Sequence, residues 1–325
     1  MSVVSVLKKC FLQVFPALSE SPSRSGWLYE KKDLSCDTLS DENVKIHVDA
    51  IVTEKGIAGA VDSIQVLVFN QKGQRIGYGR HEGSHEKLQV PSVIGQVTIW
   101  VFANVQDLSA IGSLDVLNLA RFSFGNAFGR VPMAGSIHVT VKEAGLVYRI
   151  PLRRLVAKIS LEHISNRTDI RLNIVSVYIL NAAGDIGLPR SREDDPSVWF
   201  NRMRLEPECS LEGMTHVNIG KTIASGEELR LGCDLYSFPN AYPPRRGGSW
   251  SPRRSRIVVK VEQPDGTVFY YPVLLPKLES GKTYCIEKLR IMRVKAECEK
   301  NSSEQEAPMR EEMLRVNLKW KKVII

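Results

Sequence analysis

Two histidines four residues apart, His81 and His85, have a spacing that could bind a metal ion. On a helix, residues four apart share a face, and two imidazoles placed in this way can supply half of a zinc site. Here Gly83 stands between them, and the letters GYGRHEG (77–83) are typical of a loop between strands. No third ligand lies nearby in the sequence. We therefore interpret both as solvated turn histidines and predict no metal site.

Motifs for catalysis or cofactor binding are not found elsewhere in the sequence. The acidic run EDD (193–195) lacks the alternating oxygen ligands of a calcium loop. No glycine pattern matches a P-loop or a dinucleotide-binding turn, and no G-x-S-x-G elbow is present. We predict that the protein is not an enzyme and has no cofactor.

Arginines are concentrated in the stretch PPRRGGSWSPRRSR (243–256), inside a chain of formal net charge +8. Such a positive charge favours anionic partners. Proteins that bind single-stranded nucleic acids interleave several aromatic side chains with basic ones, whereas Trp250 is the only aromatic residue in this stretch. Because proline, glycine and serine surround it, we predict a loop between strands and no nucleic-acid partner. Replacing its five arginines with serine is then expected to leave folding intact.

The length of 325 residues allows about two domains. With 43% hydrophobic and 25% charged residues, the composition is that of a folded globular protein. Six cysteines include no C-x-x-C pair, which excludes the usual zinc-ribbon and thioredoxin spacings. No apolar run approaches the 18 residues of a membrane-spanning helix. The segment 1–15 is an atypical signal peptide, because Lys8 and Lys9 interrupt its apolar run.

Alternation of apolar and polar residues dominates the chain and predicts strands. A first strand at 44–51 places Val44, Ile46 and Val48 on one face, and a last strand at 314–325 does the same with Val316, Leu318 and Trp320. Further strands are predicted at 63–69, 96–105, 136–141, 147–164, 171–180 and 283–294, with a hairpin at 256–275. The strand at 147–164 is expected to carry the chain from one half to the other. Residues 106–128 are a weak helical candidate, and 181–212 a long polar connection. We predict an all-β fold of two β-sandwiches.

Several segments, in this order, resemble the Bacteroidales fimbrillins, the subunits of type V pili. They are LYEKKDLSC (28–36), MAGSIHVTV (133–141), IPLRRLVAKISLEHI (150–164), LYSFPNAYPP (235–244), the hairpin region 255–293 and the terminal RVNLKWKK (315–322). The likeness extends from about residue 28 to the C-terminus. It implies two transthyretin-like β-sandwich domains in tandem at 33–153 and 154–325, preceded by an export or leader-like segment at 1–32.

The resemblance also implies a function. Fimbrillins are exported through the periplasm as outer-membrane lipoproteins, and they form cell-surface fimbriae by strand exchange with other pilin subunits. In this sequence the strand removed by proteolysis would carry Val44, Ile46 and Val48, and the donated strand would carry Val316, Leu318 and Trp320. Host or bacterial surface ligands are further expected partners.

Two features differ from the family pattern, and two alternatives stay open. Trp27 stands where fimbrillins have the lipidated cysteine, and the loop VTEKGIAGAVD (52–62) contains Lys55 but no arginine for an arginine-specific protease. Either candidate strand could instead be a permanent strand of its own subunit, since its alternation fits both roles. The alternative function is a non-polymerising outer-membrane β-sandwich lipoprotein that binds a glycan or a protein partner.

Overall fold

A computed structural model describes residues 43–52, 61–83, 87–124, 130–188, 196–202, 213–240, 254–292 and 320–322. Nearly all regular structure in these residues is β-strand. The predicted fold class, all-β with two transthyretin-like β-sandwiches in tandem, is confirmed. The boundaries at 33–153 and 154–325 stay predictions. Among these residues no helix is long and apolar enough to cross a membrane.

The first sandwich is one seven-stranded sheet, in the order β3-β2-β5-β7-β8-β1-β4, that folds back over an apolar core. Strands β7 and β8 pair only at Met133 and Ala134, so the sheet turns sharply there. The core residues include Ile46, Val66 and Ile99. The elements of this half are β1 (Asn43–Val52), β2 (Ser63–Asn70), β3 (Arg75–Glu82), β4 (Leu88–Val93), β5 (Gly95–Ala103), α1 (Leu114–Leu119), β6 (Arg121–Ser123), β7 (Met133–Val141) and β8 (Val147–Arg154).

The segment GYGRHEG lies mostly in strand β3, and its prediction as a loop was wrong. Its glycines are needed because β4 packs closely across this strand. A Cβ atom on Gly77 would lie 1.9 Å from the carbonyl oxygen of Pro91, and one on Gly79 would lie 3.0 Å from a methyl group of Val90. Of the two histidines, His81 is half-buried in β3 and His85 lies outside the described residues. The described residues hold no group of three or more metal-binding side chains.

Gly77→Ala should destabilise the protein, because the new methyl group would meet backbone rather than a movable side chain. Overpacking of this kind typically costs about 1–3 kcal/mol in unfolding free energy. Gly112→Ala is the matched control, since nothing lies within 4 Å of its added Cβ. Chemical denaturation of both variants measures the effect. Equal stability of the two would show that β3 and β4 do not approach as described.

The second sandwich packs two four-stranded sheets, β14-β10-β16-β17 and β15-β9-β18-β19, around a second apolar core. Its predicted hairpin is confirmed: β16 and β17 pair throughout, and Gly266 has the positive φ of 83° that the turn between them requires. The strands of this half are β9 (Ala157–Asn166), β10 (Leu172–Leu180), β11 (Ala182–Ala183), β12 (Asp185–Gly187), β13 (Trp199–Phe200), β14 (His216–Ile223), β15 (Glu228–Ser237), β16 (Arg256–Glu262), β17 (Val268–Leu274), β18 (Thr283–Ile291) and β19 (Trp320–Lys322).

Three other predictions need correction. The run 147–164 is not one strand, because the chain bends at Leu155 and Val156, where Ser280 and Gly281 donate hydrogen bonds to the two carbonyls. The helix predicted within 106–128 is confined to the six residues of α1. The polar connection 181–212 contains three short strands, β11 to β13, in its described part.

The arginine-rich stretch ends inside the second sandwich rather than in a loop. Arg254 and Arg256 are buried, and Arg256 begins β16 between Leu180 of β10 and Leu274 of β17. The hydroxyl of Ser255 donates to the carbonyl of Asn181 at 2.8 Å. Because Arg254 and Arg256 are buried, we expect that serine at these two positions would destabilise the fold, so the prediction that all five are dispensable needs a test at each position. Residues 243–253 lie outside the described part.

A third apolar cluster joins the two halves. The rings of Phe102 and Phe122 are stacked with their centroids 5.0 Å apart, and the ring centroids of Phe124 and Phe238 are 4.8 Å apart. Beside this cluster, β6 pairs antiparallel with β12 and brings Arg121 to the buried carboxylate of Asp185, with Nε to Oδ2 at 2.6 Å. Cooperative contacts of this kind hold the sandwiches against each other.

Asp185→Asn should lower the unfolding free energy by about 2 kcal/mol, because a charged hydrogen-bond acceptor is lost at a buried site. Burial alone would raise the pKa of Asp185, but hydrogen bonds from Arg121, Ser197 and Val198 outweigh it and leave the pKa below its usual value. A lowered folded-state pKa stabilises the fold above the unfolded value of about 3.9. This contribution disappears as the pH falls through the folded-state pKa.

The gap between the thermal melts of wild type and Asp185→Asn should therefore narrow as the pH falls from 7 to below the unfolded-state pKa of about 3.9. Asp115→Asn, at an exposed position, is the control and should track wild type throughout. A constant gap between wild type and Asp185→Asn at every pH would contradict the assigned ionisation.

Candidate strand-exchange site

Strand β1 is an interior strand of the first sandwich with partners on both sides. It pairs antiparallel with β4, from Asn43 opposite Val93 to Val48 opposite Leu88. It pairs parallel with β8, from His47 opposite Val147 to Val52 opposite Leu152. The two ladders overlap only at residues 47 and 48, so β1 runs across from one neighbour to the other.

The side chains of β1 alternate between the core and the outer face. Ile46 and Val48 are fully buried, and Val44 packs against the same core with partial exposure. The structure therefore brings together the three residues that the sequence singled out as the removable strand. On the outer face Lys45 is exposed, and Asp49 approaches Arg149 at 3.6 Å. A strand patterned in this way can be replaced only by another strand with the same alternation.

Removal of β1 would open a slot that exposes both unpaired backbone groups and apolar core side chains. The edges of β4 and β8 would present unpaired backbone groups, which is the condition for strand addition. The core-facing side chains along these two edges would include Val90 of β4 and Ile150 and Leu152 of β8. Tyr148 of β8, opposite Val48, has a pKa raised by burial. The segments on either side of β1, including Trp27 and Lys55, lie outside the described residues.

The C-terminal candidate strand lies in the second sandwich. Residues Trp320 to Lys322 form β19, which pairs antiparallel with β18, with Trp320 opposite Ile286. Val316 and Leu318 lie outside the described residues. β18 is paired with β9 along its whole length, and on its other side the described part of β19 lies opposite positions 284–286. The two candidate strands therefore belong to different sheets and do not meet within the described part of the chain.

No protein-family model and no curated protein sequence matches the chain. Solved structures do. A putative cell adhesion protein from Parabacteroides distasonis superposes with a TM-score of 0.54 at 15% identity, over 78% of this chain and 89% of that one. A tip fimbrial protein from Porphyromonas gingivalis superposes with a TM-score of 0.53 at 14% identity, over 78% of this chain and 97% of that one. A fimbrilin from the same organism superposes with a TM-score of 0.52 at 14% identity, over 76% of this chain and 90% of that one.

The chain has the fold of the fimbrillins. This is the architecture that the resemblance of the sequence implied, and at 14–15% identity the likeness establishes the fold itself. Within the fimbrillin fold, sequence reasoning missed the parallel pairing of β1 with β8, because its partners lie about 100 residues apart along the chain. It also missed a polar groove on the first sandwich, which four separate segments build. Neither feature can be predicted from a local sequence pattern.

Proposed function

We propose that the protein is a structural and adhesive subunit of a cell-surface fimbria, a fimbrillin that assembles with other pilus subunits by strand exchange. The observation that supports this proposal most is the position of β1. It fills the core with Ile46 and Val48 while hydrogen-bonding two neighbours, so its loss creates an acceptor for one incoming strand. The similar folds of a tip fimbrial protein and a fimbrilin are in agreement.

The C-terminal segment has the chemistry of a donor. In LRVNLKWKK (314–322), apolar residues alternate with polar ones, as they do in β1. Val316, Leu318 and Trp320 would occupy the core-facing positions that Val44, Ile46 and Val48 hold before removal. Within the described residues, Trp320 to Lys322 pair antiparallel with β18, so the segment is already extended as a donor strand must be.

The proposal includes the cellular route and the partners. The chain is exported through the periplasm to the outer membrane as a lipoprotein, with residues 1–32 as its leader and sandwich domains at 33–153 and 154–325. Its partners are other fimbrial subunits and surface ligands of the host or of neighbouring bacteria, and it is not an enzyme. A non-polymerising, glycan-binding lipoprotein is the competing function, favoured by the polar groove on the first sandwich.

A site-specific protease site inserted within residues 53–60 tests the proposal. Cleavage there should release β1 and produce a ladder of SDS-resistant oligomers on gel electrophoresis. An exchanged strand is buried like a core strand, so the oligomers should survive the detergent. Uncut protein under the same conditions is the control. A cut protein that stays monomeric would favour the competing function.

A further inference from the structure

A groove of about 630 Å³ lies on the outer face of the first sandwich. Strands β5 and β7 form its floor, and the turn between β2 and β3 and the start of α1 form its walls. Gln96 and Thr98 alternate with Val97, which is buried in the core on the other face of the sheet. We call this feature the polar groove.

Hydrogen bonds between neighbouring side chains order the floor of the polar groove. Thr98 Oγ1 and His138 Nδ1, on paired positions of β5 and β7, are 2.8 Å apart. Gln71 Nε2 donates to Gln96 Oε1 at 2.8 Å. These contacts leave Gln71 Oε1 as an acceptor, Gln96 Nε2 as a donor and His138 Nε2 as either, depending on its tautomer. The polar groove thus presents both hydrogen-bond donors and acceptors.

The charge of the polar groove distinguishes it from the rest of the chain. The protein carries a formal net charge of +8, but the groove is lined by one lysine, Lys72, and one carboxylate, Asp115. A site for an anionic ligand would concentrate cations. Of the apolar residues along the groove, Val97 and Val139 pack against the core behind the sheet, so the groove offers too little apolar surface for an apolar small molecule. The lining chemistry therefore matches a neutral ligand rich in groups that both donate and accept hydrogen bonds.

We propose that the polar groove binds a neutral carbohydrate. Sugar hydroxyls donate and accept at once, which is what the ordered amides, the imidazole and the hydroxyl of Thr140 can satisfy. Because the described lining includes no Phe, Tyr or Trp, we expect single-site affinity to be weak, in the millimolar range. Copies repeated along a fimbria would raise the avidity, and only this last step rests on the proposed function.

Saturation-transfer NMR on the intact monomer tests the site, with galactose, mannose, N-acetylglucosamine and N-acetylneuraminic acid as probes. At least one neutral sugar should receive saturation. Gln96→Ala and His138→Ala should each lower the affinity for that sugar about three- to tenfold, because each removes one neutral hydrogen bond. Ser136→Ala is the control, because Ser136 is exposed on β7 two residues from His138 but does not line the groove.

The outcomes separate this proposal from strand exchange, because the monomer is measured without assembly. Binding that is unchanged in both groove variants would overturn the site, as would no transfer to any neutral sugar. Transfer to N-acetylneuraminic acid alone, lost at high salt, would show an anion site and overturn the neutral assignment. Near-identical thermal melts of the variants confirm that a loss of binding is local.

Discussion

Deletion of residues 43–52 should abolish the folded monomer. The apolar face of β1 includes Val44, Ile46 and Val48, and burying each such side chain contributes about 1.5–3 kcal/mol. Their sum is comparable with the whole stability of a typical domain, about 5–15 kcal/mol. The deleted chain also exposes the edges of β4 and β8. We expect aggregation or irregular oligomers on gel filtration, and loss of the cooperative thermal transition.

A peptide of sequence NVKIHVDAIV, added in trans, should restore the monomer and its transition. The matched control is a peptide of the same composition in which each apolar residue is exchanged with its polar neighbour, since a one-residue shift moves every side chain to the opposite face. A deletion variant that melts like wild type would show that β1 is dispensable. Equal rescue by both peptides would show that the slot does not select for alternation.

Leu318→Asp should abolish assembly of the cleaved protein, whereas Lys319→Asp should preserve it. In the proposed donated strand the two positions are neighbours and would face opposite ways, so only the first would place a charge in the acceptor slot. Burying an unpaired carboxylate there costs several kcal/mol, far more than one strand contact can offset. The readout is the ladder of SDS-resistant oligomers after cleavage within 53–60.

Melts of the uncut monomers complete this comparison. Donation predicts little change in the melting temperature for either variant, because a strand donated to a neighbour contributes no core side chains to its own monomer. If Leu318→Asp lowers the monomer's melting temperature sharply and cleaved Lys319→Asp protein forms no ladders either, the C-terminal segment is a permanent strand of its own sandwich. Assembly by cleaved Leu318→Asp protein would exclude the segment as donor.

The sequence predicted strands best where side chains alternate without interruption. Strand β1 and the hairpin of β16 and β17 follow from local patterns, because alternation and a Pro-Asp-Gly turn act within a few residues. Strand β3 was missed because its glycines resemble a loop. Gly77 instead allows a close approach of Pro91, and Gly79 of Val90, and only the folded sheet creates these contacts.

Features that join distant parts of the chain could not be predicted from local sequence patterns. Arg256 has the composition of a basic loop around it, and its burial depends on two neighbouring strands from distant parts of the chain. The candidate removable strand was predicted with its core-facing residues, whereas its partners β4 and β8 were not. The polar groove draws its side chains from the β2–β3 turn, β5, α1 and β7, so no stretch of sequence contains it.

The crossed pairing of β1 also has a mechanical meaning. A donated strand seated in its place would bond β4 along one half and β8 along the other. Backbone hydrogen bonds lie across the strands, so a pull along the axis of the donated strand would act at right angles to them. Every bond in both ladders would then share the load in shear, instead of breaking one by one as in peeling. A subunit joint of this geometry resists pulling far better than its equilibrium affinity alone suggests.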